Sequence, residues 1–270
     1  LARDDLFSLS EVLFTYLPEE IKGLGSPQLE ISGNAAKTPS FLRDKISATF
    51  ATLFCATYIE VRANFLKDLL ALDVTPNGSD YYLRILLAIH LEIGDKFIAR
   101  LREHVDRNTV IKDQIRLLDM EALIMLWKAH LLGAKGSDDA EITALALKNV
   151  AAYVEWMEIS YFVQPDLVNS IFAYLQNTSQ RLEACKTLVE IISKKMKPAS
   201  KLELLALLNI TSVLDSTTGL RDIEEDIEWA ENVARLLNQV GIELQIVLEQ
   251  EARQQLDLAA LANLQILAIW

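Results

Sequence analysis

The stretch ISATFATLF, residues 46–54, indicates the fold class because its apolar side chains recur at helical spacing. Ile46, Phe50 and Leu53 follow one another at intervals of four and three residues, and Phe54 stands beside Leu53. All four therefore fall on one face of a helix that turns about every 3.6 residues. Strict alternation of apolar and polar residues, which marks a half-buried strand, is absent. The stretch predicts an amphipathic helix.

The same spacing recurs along the chain, notably in 111–122 and 182–192. The nine Gly and six Pro residues fall largely between such segments, and a β-rich chain of this length would need more turn residues. Breaks and helix-start signals together predict helices at about 3–17, 40–56, 58–72, 79–92, 105–132, 139–154, 165–176, 179–195, 200–214, 221–249 and 253–270.

The order of these segments predicts the architecture. Helices that pair across breaks about every 35–45 residues are typical of a helical-repeat array. The repeats match no ankyrin or tetratricopeptide consensus, which favours the more degenerate HEAT type. We therefore predict an all-α fold, a HEAT-repeat α-solenoid built as a superhelical array of antiparallel helix pairs. An irregular α-helical bundle is the alternative. The array would run continuously over 1–270, with a loop at 22–40.

The amino-acid composition limits the classes of protein to which this chain can belong. Hydrophobic residues make up 51% and charged residues 24%, which supports a sizeable core and argues against disorder. Cys55 and Cys185 both sit in apolar helical patterns, so we expect a reducing compartment and no disulfide. Neither a signal peptide nor a membrane-spanning apolar run is present, so we expect a soluble intracellular protein without membrane insertion. The missing initiator Met and the apolar pattern that ends at Trp270 suggest a piece of a longer protein.

The charge is unevenly distributed. A net charge of −12 argues against a general nucleic-acid binder, because neutralising phosphates supplies most of the affinity of such proteins. However, residues 41–132 are neutral overall, and residues 96–116 carry a net charge of +3. A local basic contact with an anion therefore remains compatible with the sequence.

Catalysis finds little support in the sequence. His90, His104 and His130 show no spacing suited to a shared metal ion. No glycine-rich phosphate loop, nucleophile elbow or metalloprotease motif occurs. We therefore predict a protein that is not an enzyme and that needs neither a cofactor nor a metal.

Several segments carry a resemblance to a known family. They are FLRDK at 41–45, NFLKDLL at 64–70, YLRILLAI at 82–89 and RNTVIKDQIR at 107–116. Together they resemble the exportin-1-like region of nuclear export receptors, which we place at 41–195. The segments DVTPNG at 73–78, 150–159 and 183–185 are similar to the exportin-t family of tRNA exportins, within the importin-β (karyopherin) superfamily.

The resemblance implies a function as well as a fold. It implies a nuclear export receptor that binds mature tRNA cooperatively with GTP-bound Ran in the nucleus. GTP hydrolysis on Ran would then release the tRNA in the cytoplasm. Contacts with nucleoporins and shuttling between nucleus and cytoplasm are expected from the same family. The competing interpretations are a karyopherin for protein cargo and a structural HEAT-repeat scaffold.

Two basic clusters are candidates for these partners. Lys112 and Arg116 are four residues apart and share a helix face, and a solvated face is the simpler explanation. The second cluster lies near a predicted helix end, where cations also complement the helix dipole. The first set, for tRNA or Ran, is Arg100, Arg102, Arg107, Lys112 and Arg116; the second is Lys194, Lys195, Lys197 and Lys201.

An acidic segment is a candidate docking surface for basic residues of Ran. Its residues are Glu224, Glu225, Asp226 and Glu228. Acids at a predicted helix start also complement the helix dipole, so a purely stabilising role is the alternative. Three tryptophans, at 127, 156 and 229, occupy apolar helical positions and are predicted to be core residues and not base-stacking platforms.

Overall fold

A computed structural model describes residues 2–22, 38–95, 98–133, 139–209 and 226–254. All regular secondary structure in these ranges is helical. The α-helices are α1 (Arg3–Ile21), α2 (Ser40–Thr57), α3 (Phe65–Leu70), α4 (Pro76–Ile93), α5 (Arg102–Leu118), α6 (Met120–Leu131), α7 (Ala140–Val154), α8 (Pro165–Leu175), α9 (Arg181–Ser193), α10 (Pro198–Leu207) and α11 (Ile227–Gln254), with a 3-10 helix at Ile159–Tyr161.

The chain divides into two compact units, Leu1–Met157 and Glu158–Trp270. The first contains α1 to α7 and the second contains α8 to α11. A single continuous array over 1–270 stays a prediction. The predicted loop at 22–40 falls mostly on residues outside the described ranges.

Side chains of the predicted helix 40–56 form an aromatic core in the first unit. Phe50 and Phe54, both fully buried on α2, meet Phe65 of α3 edge to face, at centroid distances of 6.4 and 5.2 Å. Phe14 of α1 closes the cluster, 4.9 Å from Phe65. Burying such rings removes a large apolar area from water, which makes this cluster a principal source of stability. The predicted apolar face is thus confirmed for Phe50, Leu53 and Phe54, whereas Ile46 is half-buried.

Helices α2 and α4 run in the same direction. Arg43, near the start of α2, forms an ion pair with Asp80, near the start of α4. Near the other ends, the Glu92 carboxylate of α4 lies close enough to raise the pKa of Cys55 in α2. Because the contacts advance together along both helices, α2 and α4 are parallel.

Helix α7 extends this parallel layer. The Asn149 amide nitrogen donates to the carbonyl of Leu83 over 3.0 Å. One turn further along α7, the Tyr153 hydroxyl donates to the carbonyl of Leu86 over 2.8 Å. Both side chains are buried, so these bonds satisfy polar groups that would otherwise be costly in the core.

Helix α6 runs opposite to this layer. Asp119, just before α6, accepts a 2.5 Å hydrogen bond from the hydroxyl of Tyr58, just after α2. At the other end of α6, His130 Nε2 lies 3.1 Å from Asp73 Oδ1, just before α4. A layer of parallel helices with an antiparallel helix beside it is the arrangement of an α-solenoid of HEAT type.

The second unit repeats the pattern. Cys185 Sγ of α9 donates to the carbonyl of Asn232 in α11, 3.3 Å away. At the start of both helices, Arg181 forms a 2.6 Å ion pair with Asp226. The order of these contacts makes α9 and α11 parallel, as α2, α4 and α7 are in the first unit.

Four predictions about the helices differ from the structure. The predicted helix 200–214 ends early, because α10 stops at Leu207 and Asn209 adopts a positive φ. The predicted helix 105–132 is two helices, α5 and α6, because the chain breaks at Asp119 to bring that carboxylate to Tyr58. The predicted helix 58–72 shortens to α3, since turns occupy 58–64. The break predicted after 249 is wrong, because α11 continues to Gln254. Residues 255–270 lie outside the described ranges.

A buried charge network ties the starts of α2, α4 and α7 together. The Asp80 side chain is fully buried, forms an ion pair with Arg43 and accepts a 2.9 Å hydrogen bond from Arg84 Nε. Both arginines also reach Glu141 of α7. Arg84 forms a further pair with Asp44, which is 58% exposed. A buried charge is tolerated only with such compensation, so the network fixes the register of the three helices.

Replacing the central carboxylate should therefore destabilise the first unit strongly. Asp80→Asn leaves two arginines without their buried counter-ion, and we expect a loss of about 3–5 kcal/mol in the free energy of unfolding. Asp44→Asn removes an exposed partner of the same Arg84 and should cost less than about 1 kcal/mol. Urea titrations followed by circular dichroism measure both. Equal losses for the two variants would show that burial of the network is not decisive.

The start of α11 should respond to pH through Asp226. A hydrogen bond from the Trp229 amide, 2.9 Å long, and the pair with Arg181 lower the pKa of Asp226. A folded-state pKa below the unfolded value of about 3.9 means that the stabilisation is present above that pH and is lost as pH falls through the folded-state pKa. We therefore expect the protection factor of the Trp229 amide against hydrogen exchange to fall on acidification below about pH 4.

Two variants control this measurement. Asp226→Asn keeps a capping oxygen but cannot titrate, so its Trp229 protection should start lower and vary little with pH. Glu231→Gln removes an exposed acid further along the same helix and should retain the wild-type pH profile. An unchanged profile in Asp226→Asn would contradict the assignment.

Candidate nucleic-acid interface

Arg100, the first residue of the first basic cluster, has a structural role, because its side chain is bonded to backbone carbonyls. Its Nε donates to the carbonyl of Glu92 over 2.9 Å, and its other nitrogens donate to the carbonyls of Leu91, Asp95 and Ile98. The last carbonyls of a helix have no partner within the helix, so this guanidinium caps the end of α4. Sequence spacing gave no sign of this role.

Arg107 is also partly engaged in the fold. Its Nε and one terminal nitrogen donate to Asn108 Oδ1, at 3.1 and 2.9 Å. The Asn108 amide in turn donates to the carbonyl of Glu92 over 2.8 Å, which joins α5 to the end of α4. Arg102 is exposed at the first residue of α5.

Lys112 and Arg116 share one face of α5, as their spacing predicts, and Trp156 lies beside them. Arg116 Nε donates to the carbonyl of Trp156 over 2.8 Å, and the guanidinium carbon stands 5.4 Å from the centre of the indole ring. A second nitrogen pairs with Asp113. The Arg116 side chain keeps 38% of its surface exposed. Three contacts thus hold an exposed guanidinium in one orientation.

Lys112 combines partial burial with the lack of an ion-pair partner in the described ranges. It is half-buried, and no carboxylate in the described part of the chain forms an ion pair with it. Burial lowers the pKa of Lys112, and the neighbouring positive charge of Arg116 lowers it further, although Glu155 and Asp113 oppose the shift. An anion placed here would relieve both effects.

Trp156 is only half-buried, unlike Trp127 and Trp229, which are core residues as predicted. Gly94 allows the indole to approach the end of α4. A Cβ atom at Gly94 would lie 3.0 Å from the indole nitrogen and 2.7 Å from His90 Nδ1, closer than a side chain tolerates. Trp156 is therefore less buried than a core residue, although its indole nitrogen is buried.

The second basic cluster separates into surface and interior residues. Lys195 and Lys197 are exposed in the connection between α9 and α10, and Lys194 is half-buried. Lys201 is 2% exposed, and its ammonium donates to the carbonyl of Lys194 over 2.6 Å and to that of Ile192. It also pairs with Glu243 of α11 at 2.9 Å. Lys201 therefore caps α9 from inside, and we correct its inclusion among surface contacts.

The acidic candidates also fall into different environments. Asp226 is engaged with Arg181 and the Trp229 amide, which matches the alternative of a helix-stabilising role. Glu228, two residues later, is exposed in the first turn of α11. Glu224 and Glu225 lie outside the described residues.

The two thiols are poor nucleophiles. Burial raises the pKa of Cys55 to about 11 and that of Cys185 to about 12, so both remain protonated at neutral pH. In the ranges given above, no helix is long and apolar enough to cross a membrane. Lys112 and Arg116 place two cations near the partly buried indole of Trp156, an arrangement that suits the binding of an anion.

Comparison with known proteins agrees with the sequence resemblance. Residues 39–188 match the family model described as Exportin 1-like protein. The chain is 39% identical over 290 residues to Exportin-T of Candida albicans. It is 42% identical over 273 residues to that of Debaryomyces hansenii and 44% identical over 275 residues to that of Scheffersomyces stipitis.

These similarities cover 100% of this chain in all three cases. The chain spans 26% of the length of each of these curated relatives. The observed helical layers agree with the HEAT-repeat solenoid expected of such proteins. The match over 39–188 together with this fold leads to one conclusion: the chain belongs to the exportin 1-like family.

Proposed function

We propose that this chain is part of a nuclear export receptor for tRNA. The receptor would bind mature tRNA together with GTP-bound Ran in the nucleus and release it in the cytoplasm after GTP hydrolysis on Ran. The observation that carries the proposal is the 39–44% identity to three proteins named Exportin-T over the full length of this chain. The family model matches only residues 39–188, whereas the similarity to the Exportin-T proteins covers the whole chain. This difference favours the tRNA exportins over other members of the family.

The distribution of charge supports a role in holding RNA. A protein that recognises RNA by shape needs spaced cations against the backbone and no deep pocket. Lys112 and Arg116 on α5, and Lys195 and Lys197 after α9, are cations of this kind, with Arg102 exposed on α5 as well. The net charge of −12 keeps general affinity for polyanions low, so binding would depend on these local contacts.

The remaining assignments belong to the same proposal. Glu228 at the exposed start of α11 would face basic residues of Ran, and contacts with nucleoporins would allow shuttling between nucleus and cytoplasm. The receptor itself would not be a catalyst, since the hydrolysed GTP belongs to Ran. A protein-cargo karyopherin and a structural scaffold are the alternatives that the next experiment separates.

Cooperative binding is the decisive test. We expect Ran loaded with a non-hydrolysable GTP analogue to raise the tRNA affinity of the complete protein that carries these residues by about tenfold or more, a usual size for a coupling between sites. Fluorescence anisotropy with labelled tRNA, with and without loaded Ran, measures the change. GDP-loaded Ran is the matched control and should leave the affinity unchanged.

The alternatives give different results in the same assay. A receptor for protein cargo would bind GTP-loaded Ran without preferring tRNA, and a scaffold would respond to neither ligand. Either result would overturn the proposal. By reciprocity, tRNA should also tighten binding of loaded Ran by the same factor, which provides an internal check.

The exposed lysines after α9 should contribute electrostatic affinity for tRNA. The double variant Lys195→Gln and Lys197→Gln should weaken tRNA binding and reduce the slope of log Kd against log salt by about 1–2, since each lost phosphate contact changes it by about 0.9. Arg235→Gln, an exposed cation of α11, is the control and should leave the slope unchanged. The same slope in all three proteins would exclude this segment as an RNA contact.

A further inference from the structure

We propose that Lys112, Arg116 and Trp156 form a subsite for one unpaired nucleotide of the bound RNA, here called the nucleotide subsite. Lys112 would hold the phosphate, and the exposed face of the Arg116 guanidinium, backed by the Trp156 indole, would stack on the base. This inference rests on the proposed function, because it specifies which part of an RNA this surface recognises.

The first step concerns Lys112. A half-buried ammonium without a carboxylate partner in the described ranges is unfavourable for the isolated protein. The cations Arg116 and Arg100 and the carboxylates Glu155 and Asp113 all act on it electrostatically. Arg100 is fixed by four carbonyls and cannot turn away. With Lys112 itself, the cations outnumber these carboxylates, so a phosphate would meet a net positive environment.

The second step concerns Arg116. An arginine recognises a carboxylate or phosphate best through two parallel N–H groups. Here Nε is already bonded to the carbonyl of Trp156 and one terminal nitrogen is paired with Asp113. The side chain still keeps 38% of its surface exposed, and the indole 5.4 Å away supports the planar guanidinium. Such a planar group stacks well on a nucleobase, which favours RNA over an acidic peptide.

The third step is the spacing. Side chains four residues apart on a helix have Cβ atoms about 6 Å apart, so Lys112 and Arg116 lie side by side on α5. One nucleotide spans this separation between its phosphate and its base. A base inside a duplex is covered on both faces by its neighbours, so only an unpaired nucleotide can stack on Arg116. The nucleotide subsite thus selects single-stranded parts of an RNA.

The experiment uses the complete protein and two RNA probes. One probe is a single-stranded decamer with one fluorescent 2-aminopurine, and the other is the duplex of the same sequence. Arg116→Lys keeps the charge but removes the flat guanidinium. We expect it to weaken single-strand binding about fivefold or more, since stacking contributes about 1–3 kcal/mol per base. It should leave duplex binding within about twofold and abolish the change in 2-aminopurine fluorescence.

Lys112→Gln tests the phosphate contact separately. We expect weaker binding of the single strand and a reduction of about 0.7 in the slope of log Kd against log salt, the value for one phosphate of a single strand. Lys148→Gln, an exposed lysine on α7 in the same unit, is the matched control and should bind like the wild type. Circular dichroism checks that each variant retains its helical content.

Several results would overturn the inference. These are an unchanged fluorescence response in Arg116→Lys, equal effects of Lys112→Gln and Lys148→Gln, or no single-strand binding by the wild type. Weaker binding of GTP-loaded Ran with unchanged RNA binding would identify the surface as a protein contact instead. If loaded Ran raises tRNA affinity while the variants bind like the wild type, the export function stands and only the nucleotide subsite fails.

Discussion

The buried carboxylate of Asp80 is the constraint on which the first unit depends. It neutralises Arg43 and Arg84 at the point where α2, α4 and α7 begin, so three helices from different parts of the chain share one register. A buried ion pair contributes little net stability by itself, but removing one of its partners destabilises the protein strongly. Such a network therefore acts mainly on the arrangement of the repeats, while the aromatic cluster around Phe65 supplies apolar burial.

The need to hydrogen-bond the carbonyls at helix ends then determines which cations remain available at the surface. Helix ends leave carbonyls without partners, and the chain uses Arg100 for those of α4 and Lys201 for those of α9. Among the described contacts, neither Lys112 nor Lys197 donates a side-chain hydrogen bond to a helix-end carbonyl. An anion can thus bind only to those cations that do not cap a helix end.

Most of the fold could be predicted from the sequence, because helical periodicity is a local property. Phe50, Leu53 and Phe54 are buried as their spacing requires. Each of the eleven α-helices in the described ranges lies within or overlaps a predicted one. The break at Asp119 was missed, since it depends on Tyr58, which is distant in sequence. The shortening of α3 escaped prediction for a related reason, because apolar spacing continues through the turns at 58–64.

Residue types and short spacings were enough to indicate the helical class, the family and the basic clusters. Which cations can contact a partner depends on the tertiary structure, because capping and ion pairing join residues that are far apart along the chain. It buried Lys201, fixed Arg116 against Trp156 and left Lys112 half-buried beside them. Local patterns specify where charges occur, whereas packing determines which of them face a partner.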